Sequence, residues 1–307
     1  MKLSNKTFWK IGGGCESFFE FNTESDVCNY LSTESSSPVV IGNGTNTLFC
    51  SSGFNGPIIK LGQDFDFINV INSTEVEIGA ATYVPKLVRK LSNKGLGGIE
   101  HCVGIPATFG GLVVMNGGSQ RRSISENLIS VKIVDCDGVI KVLSKEECNF
   151  SYRESIFKHE NFIILSARVK LEKINIGENR RVLLNILKER KNKFPIKFPS
   201  CGSVFLSSPE LFNMVGPPGY VIESLGLKGY KIGNAQISEQ HANFIVNLGG
   251  ASSDDVLSLV SLINEKCKDK YGFELESEAL FYSNNMKGVP LNKAVEIKGK
   301  QSKCEIF

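Results

Sequence analysis

Three short segments carry side chains that can do chemistry in a setting of turns and glycines. Arg153 lies within Ser151–Ser155, and its guanidinium keeps its charge in a protein, so it can stabilise a carboxylate or a developing oxyanion. Ser203 places a hydroxyl directly after a glycine at a chain bend, and Glu278 ends the run Glu274–Glu278, whose alternation predicts three glutamates on one strand face. Taken alone, each segment is more typical of a surface ion pair, a turn or a solvated strand, so a catalytic role needs further support.

Two glycine-rich segments provide backbone that can approach a ligand closely. The stretch Gly97–Ser119 is so dense in glycine that it predicts neither a helix interior nor a strand interior. It is typical either of an ordinary connection between strands or of a rigid loop against a bulky or anionic ligand. The second segment, Gly42–Asn46, follows the short apolar strand predicted at Val39–Ile41, which is the layout of a phosphate-cradling loop. A Rossmann fingerprint would need a glycine at position 47, which is Thr47, so that fold is excluded.

The elements that must position these residues predict an α+β fold. Apolar spacing predicts helices over Val84–Asn93 and Ser253–Lys270, the latter capped by Ser252 or Ser253, and an amphipathic connector helix over Glu178–Lys193. Asp137-Gly138 between two apolar runs predicts a β-hairpin. The predicted order is a first lobe (1–66), a second lobe (67–175), the connector (176–196), a C-terminal domain (197–290) and a tail (291–307).

Composition excludes several classes of function. A formal charge of +3 over 307 residues, with no long basic run, does not favour nucleic acid. No apolar run approaches a membrane span or a signal peptide, so we expect a cytoplasmic protein without a membrane partner. Nine cysteines without a Cys-x-x-Cys pair and only three histidines predict neither a disulfide framework nor a metal site. His101, His159 and His241 are interpreted as structural histidines.

Read in order, the segments resemble the MurB family of UDP-N-acetylenolpyruvoylglucosamine reductases, in the vanillyl-alcohol-oxidase class of FAD proteins. The resemblance covers roughly residues 5 to 282. It is carried by eight motifs in order: Thr7–Gly13, Ile41–Asn46, Gly104–Gly111 with Met115-Asn116, Tyr152–Phe157, Pro199–Phe205, Gly229–Ser238, His241–Asn247 and Leu275–Glu278.

The resemblance implies a two-lobed FAD-binding domain followed by an α+β substrate-binding domain that covers the flavin. FAD would be held without a covalent bond. The cofactor-binding residues would be Gly42, Asn43, Gly44, Thr45 and Asn46 in one segment and Gly104, Ile105, Pro106, Thr108, Gly110, Gly111 and Asn116 in the other. The family's catalytic residues fall on Arg153, Ser203 and Glu278.

The implied reaction is the NADPH-dependent reduction of an enolpyruvyl ether on a UDP-sugar, a precursor of peptidoglycan. A hydride from flavin N5 would reach the terminal methylene carbon, and Arg153, assisted by a protonated Glu278, would stabilise the enolate. Ser203 would then protonate the carbon that bears the ether oxygen. Alternatives are a paralogue acting on another enolpyruvyl sugar, an oxidase of the same fold, and a non-catalytic flavoprotein.

Two segments depart from the family's pattern at the substrate end. Gly118–Arg122 replaces the usual small residue, aromatic and glycine, and Leu206–Gly219 replaces the usual Lys or Gln with a longer path. The residues that hold uridine and diphosphate, the preference for NADPH over NADH, and the oligomeric state therefore stay open.

Overall fold

A computed structural model of the protein describes residues 1–34, 37–283 and 286–304. The last three residues of the predicted tail lie outside this range. The strands are β1 (Phe18–Phe21), β2 (Val39–Val40), β3 (Thr47–Phe49), β4 (Ile58–Leu61), β5 (Ile68–Val70), β6 (Glu75–Gly79), β7 (Leu96–Gly97), β8 (Leu128–Val134), β9 (Ile140–Ser144), β10 (Ile163–Lys170), β11 (Glu172–Lys173), β12 (Lys231–Ile232), β13 (Ala235–Ile237), β14 (Ile245–Asn247), β15 (Leu280–Ser283) and β16 (Met286–Pro290). The helices are α1 (Glu24–Thr33), α2 (Val84–Asn93), α3 (Phe109–Val114), α4 (Ile176–Lys193), α5 (Pro209–Met214), α6 (Pro218–Ser224), α7 (Ser253–Tyr271) and α8 (Leu291–Cys304).

These elements form two compact units, each built from separate stretches of the chain. The middle unit comprises Ser17–Asn43 and Pro57–Asn192, and the terminal unit comprises Met1–Glu16, Gly44–Gly56 and the described chain from Lys193 onward. Each unit has its own apolar core. The α+β fold is confirmed, whereas the boundaries of the predicted lobes stay a prediction. Within the described residues, none of the helices is both long and apolar enough to cross a membrane.

The middle unit is built on an antiparallel sheet in the order β5-β6-β10-β8-β9, together with a parallel sheet in the order β1-β4-β2. In β6, Val76 and Ile78 are buried and alternate with glutamates, as the sequence predicts. The predicted hairpin is confirmed between β8 and β9, where the Asp135 side chain accepts hydrogen bonds from two backbone amides of the turn. Helix α2 has the predicted bounds.

Helix α3 shows that the expectation of a non-helical Gly97–Ser119 stretch is wrong. The helix includes Gly110 and Gly111, and a Cβ on Gly110 would lie 2.9 Å from the Cβ of Ala80, the residue that follows β6. Glycine is tolerated in this helix because the backbone must approach the sheet closely. That requirement outweighs the entropy that glycine costs in a helix.

The terminal unit packs α7 and α8 together and carries two small sheets, β12-β13-β14 and β16-β15-β3. Helix α7 begins with a capping box between Ser252 and Asp255 and ends at Gly272 in the left-handed region, which confirms the predicted helix and its cap. The prediction of a strand over Glu274–Glu278 is wrong, because this segment belongs to neither of these sheets. Its side chains do alternate between outward and buried, but only Ser277 pairs, in an isolated bridge with Phe205.

Candidate active site

The two predicted cofactor segments meet within the middle unit. The Asn43 side-chain amide donates to the carbonyl of Pro106 at 2.9 Å. A Cβ on Gly42 would collide with the Thr108 side chain. Only a glycine therefore allows the turn after β2 to pack against the loop that precedes α3. This close backbone approach suits a large cofactor, because bare peptide groups leave room for it.

The remainder of the first cofactor segment belongs to the terminal unit. Gly44 has φ +60°, and a Cβ there would lie 2.7 Å from the Cα of Thr7, so a larger residue is excluded on both counts. The Asn46 side-chain amide donates to the backbone carbonyl of Glu278 at 3.0 Å. A predicted cofactor residue is thus tied directly to a predicted catalytic residue.

Arg153 is fixed at both its backbone and its guanidinium. Its φ of +55° places it in the left-handed region, within a tight turn in which Ser151 and Glu154 exchange backbone hydrogen bonds. Its Nη1 donates to the carbonyl of Asn116 at 3.2 Å and its Nη2 to the carbonyl of Gly118 at 3.0 Å. The cation is therefore held in one orientation by neutral dipoles.

Asn116 joins the segment around Arg153 to the end of α3. Its side chain is 3% exposed, donates to the carbonyl of Ser151 at 2.7 Å and accepts from the amide of Ser125 at 3.2 Å. The hydroxyl of Ser155 donates to the carbonyl of Val114 at 2.6 Å, which adds a second connection. The Asn116 amide is thus committed to protein partners, and its predicted contact with the cofactor stays a prediction.

Ser203 and Glu278 are brought together in the terminal unit by the residue that follows Ser203. The amide of Glu278 donates to the carbonyl of Val204 at 2.8 Å, and the amide of Val204 donates to the carbonyl of Asn243 at 2.9 Å. The Asn243 side chain holds the backbone of Phe205 through both its oxygen and its nitrogen, each at 2.9 Å. The half-buried Ser203 hydroxyl makes no hydrogen bond to another described residue.

Gly202 and Cys201 shape the approach to Ser203. Gly202 has φ +85°, and no atom lies within 4 Å of where a Cβ would stand. A side chain is therefore excluded there by conformation rather than by crowding. Burial, followed by the nearby Glu278 carboxylate, raises the pKa of the Cys201 thiol. This cysteine is a buried neutral neighbour and not a nucleophile.

Sequence reasoning missed Arg190, which lies on α4, the helix interpreted only as a connector. A Cβ on Gly104 would collide with the Cδ and Nε of Arg190. Burial lowers the pKa of this guanidinium from its ordinary value. A glycine next to a part-buried cation in the predicted flavin loop suits an anionic part of a cofactor. No local pattern could have revealed it, because the two residues are far apart in the sequence.

His101 is the second unexpected feature of the middle unit. It is 1% exposed, and neither of its ring nitrogens has a hydrogen-bond partner among the described residues. Burial, followed by the positive charge of Arg122, lowers its pKa to about 4. The imidazole is therefore neutral near pH 7.

Comparisons with known proteins match most of the chain. A model described as an FAD binding domain matches residues 22–144, and one described as the C-terminal domain of UDP-N-acetylenolpyruvoylglucosamine reductase matches residues 194–282. UDP-N-acetylenolpyruvoylglucosamine reductase 1 of Corynebacterium glutamicum is 44% identical over 286 residues, which is 92% of this chain and 85% of that protein. The reductase of Fervidobacterium nodosum is 38% identical over 90% of this chain and 89% of its own.

A solved structure shares the fold. The crystal structure of UDP-N-acetylenolpyruvylglucosamine reductase (MurB) from Thermus caldophilus superposes with a TM-score of 0.80 at 31% identity, over 92% of this chain and 97% of that one. The similarity therefore extends over nearly the full length of both chains.

Proposed function

The chain belongs to the UDP-N-acetylenolpyruvoylglucosamine reductase family, and from that premise we propose how its residues carry the reaction. The activity is the NADPH-dependent, FAD-mediated reduction of the enolpyruvyl ether of UDP-N-acetylglucosamine enolpyruvate to UDP-N-acetylmuramate, a precursor of peptidoglycan. When bound, FAD supplies the hydride that adds to the terminal methylene carbon of the substrate. The observation that best supports the proposal is the fixed guanidinium of Arg153.

Arg153 stabilises the charge that develops on the substrate. Hydride addition to the methylene carbon pushes an electron pair through the double bond onto the carboxylate, giving an enolate with two negative oxygens. A cation already held by two carbonyls needs little reorganisation to meet that charge. A preorganised donor of this kind contributes about 3 to 4 kcal/mol to transition-state stabilisation.

Ser203 supplies the second hydrogen of the product. Its hydroxyl donates a proton to the carbon that bears the ether oxygen, the enolate collapses to a carboxylate, and a lactyl ether results. The backbone of Glu278 is bonded to Val204, the residue that follows Ser203. When protonated, the Glu278 side chain donates a hydrogen bond to the carboxylate of the substrate. A serine hydroxyl is a weak acid, so this step requires a strongly basic acceptor and a site that excludes water.

The cofactor residues of the proposal include glycines at which a side chain would collide with its neighbours, and residues next to those glycines. Gly42, Asn43, Pro106 and Thr108 form one contact surface in the middle unit, and Arg190 adds a cation beside Gly104. We propose that the guanidinium of Arg190 binds an anionic part of FAD. The other predicted cofactor residues keep their assignment from the family resemblance.

The proposal places the reaction in the cytoplasm and makes the UDP-sugar the partner molecule. The free thiols of the eight cysteines whose side chains are described support a reducing compartment.

An anaerobic half-reaction experiment tests the proposed function. The purified yellow holoenzyme is bleached with NADPH, and the enolpyruvyl nucleotide sugar is then added while the flavin absorbance is followed. Rapid return of the yellow band, with formation of the lactyl ether, is the expected result. A band that returns only when oxygen is admitted indicates an oxidase, and a flavin that NADPH does not bleach indicates a non-catalytic flavoprotein.

A further inference from the structure

We propose that Ser119 and Arg122 are positioning residues for Arg153. Both lie in the connection after α3, here called the 117–123 loop, at the place where the chain departs from its family's pattern. The inference rests on the proposed function, since it assigns these residues to the step that Arg153 serves. It concerns contacts within the middle unit alone.

The 117–123 loop supplies one of the carbonyls that hold the guanidinium. Arg153 donates to Gly118 within the loop and to Asn116 immediately before it. Any displacement of this backbone therefore moves the cation. An error of about 1 Å in the position of a catalytic group is enough to cost on the order of a hundredfold in rate.

The loop has a conformation that it would not hold by itself. Asn116, Gln120 and Arg121 have φ values of 40°, 56° and 61°, so three residues with side chains occupy the left-handed region within a short segment. Gly118 cannot be replaced, since a Cβ there would collide with the carbonyl oxygen of Arg122. Such a backbone persists only where the surrounding structure holds it in place.

Two side chains of the loop provide that restraint by bonding to the segment before α3. The Ser119 hydroxyl donates to the carbonyl of His101 at 2.5 Å. Arg122 Nη2 donates to the carbonyl of Gly98 at 3.0 Å, and its Nε donates to the Glu126 carboxylate at 2.9 Å. Ser119 and Arg122 thus fasten the loop at two points, one on either side of Gln120 and Arg121.

Arg122 does more than form a surface ion pair. Its side chain is 44% exposed, so the pair with Glu126 alone would contribute little. The planar guanidinium reaches a carbonyl and a carboxylate at once, which a lysine cannot do with the same geometry. Its neighbour Arg121 is also exposed but makes neither of these bonds to a described residue, so it provides a matched control.

The test separates the two half-reactions in the holoenzyme variants Ser119→Ala, Arg122→Gln and Arg122→Lys, with Arg121→Gln as the control. We expect flavin reduction by NADPH and the Kd for FAD to stay within about twofold of the wild type. Reoxidation by the enolpyruvyl substrate should slow about 10- to 100-fold in Arg122→Gln and less in Ser119→Ala, because misplacement of the cation affects only that step. Arg122→Lys should recover part of the loss.

A double-mutant cycle distinguishes positioning from an independent effect. In an Arg153→Lys background, Arg122→Gln should cause at most a further twofold loss, because the group through which it acts is already altered. Additive losses, equal losses in both half-reactions, or an unchanged reoxidation rate in Arg122→Gln would each overturn the inference. If the wild type itself is not reoxidised by the substrate, the proposed function fails and this inference fails with it.

Discussion

Arg153 and Ser203, two of the residues proposed to act on the substrate, lie one in each unit and are held in opposite ways. Arg153 has a left-handed backbone and a guanidinium bonded to two carbonyls. The Ser203 hydroxyl makes no hydrogen bond to another described residue. The backbone beside it is fixed instead, because the amide of Val204 donates to the carbonyl of Asn243. In the middle unit the guanidinium of Arg153 is itself restrained, whereas in the terminal unit only the backbone next to Ser203 is restrained.

The difference fits the roles proposed for the two groups. A cation that stabilises a developing charge acts without changing its partners, so restraint lowers the cost of the transition state. A proton donor must exchange its partner during the step, and a strong bond to the protein would compete with transfer to the substrate. The arrangement therefore suits a permanent charge at position 153 and a transient donor at position 203.

The largest effect should come from Ser203→Ala. The variant should still be bleached by NADPH, whereas turnover of the enolpyruvyl substrate should fall about 10²- to 10⁴-fold, the range for loss of a general acid. Stopped-flow absorbance measures both steps, and Ser207→Ala serves as the control. Full turnover by Ser203→Ala would remove Ser203 from the mechanism and end the comparison with Arg153.

The next largest effect should come from Arg153→Lys. An ammonium keeps the charge but cannot reach both carbonyls with fixed geometry, so the reoxidation step should slow about 10²- to 10³-fold. Arg168→Lys, an exposed arginine of β10, provides the control in the same unit. Wild-type rates in Arg153→Lys would mean that charge alone suffices, and that the restraint of the guanidinium has no catalytic value.

A smaller effect should appear in the pH dependence of stability, to which a histidine of each unit contributes. Among the described residues, neither ring nitrogen of the buried His101 has a hydrogen-bond partner, whereas His241 is half-buried and accepts a hydrogen bond from the amide of Asn243 at 3.3 Å. The pKa of each is lowered to about 4, chiefly by burial. The unfolded chain therefore binds a proton before the folded chain does, so stability falls as the pH drops from about 6.5 to about 4.

For His101 alone, the free energy of unfolding falls by roughly 3 kcal/mol once the pH is below its lowered pKa. His101→Leu should flatten the pH dependence of the free energy of unfolding over that window, and His241→Leu should flatten it by a similar amount, because the pKa of both histidines is lowered to about 4. Urea denaturation at several pH values measures both, with the exposed His159→Leu as the control. An unchanged pH dependence in either variant would show that protonation of that histidine does not limit stability over this window.

Features encoded locally were accessible from the sequence. The spacing of Leu87, Val88 and Leu91 defines α2, and the Ser252 cap defines the start of α7, because both signals lie within a few residues of the element that they specify. Motif order was sufficient to predict the family, and it is the basis for the assignment of Arg153, Ser203 and Glu278. Their roles in catalysis remain predictions.

Features created by tertiary packing were not accessible. Helix α3 needs a glycine at position 110 because Ala80 lies against it, and the side chain of Arg190 lies against Gly104. The residues that fasten the 117–123 loop appear in the sequence only as a departure from a pattern. Their partners, the carbonyls of Gly98 and His101, are backbone atoms that carry no sequence signal.

The divided terminal unit has a consequence for the order in which the chain folds during synthesis. Strand β3 pairs with β15, and the Trp9 side chain donates to the carbonyl of Ile245, so the amino-terminal segments complete their contacts only after most of the chain has been made. At about 5 to 20 residues per second, β3 waits roughly 10 to 50 s on the ribosome for its partner. The middle unit is already complete in sequence by then, while Leu48 and Phe49, fully buried in the finished protein, remain exposed to solvent or to a chaperone.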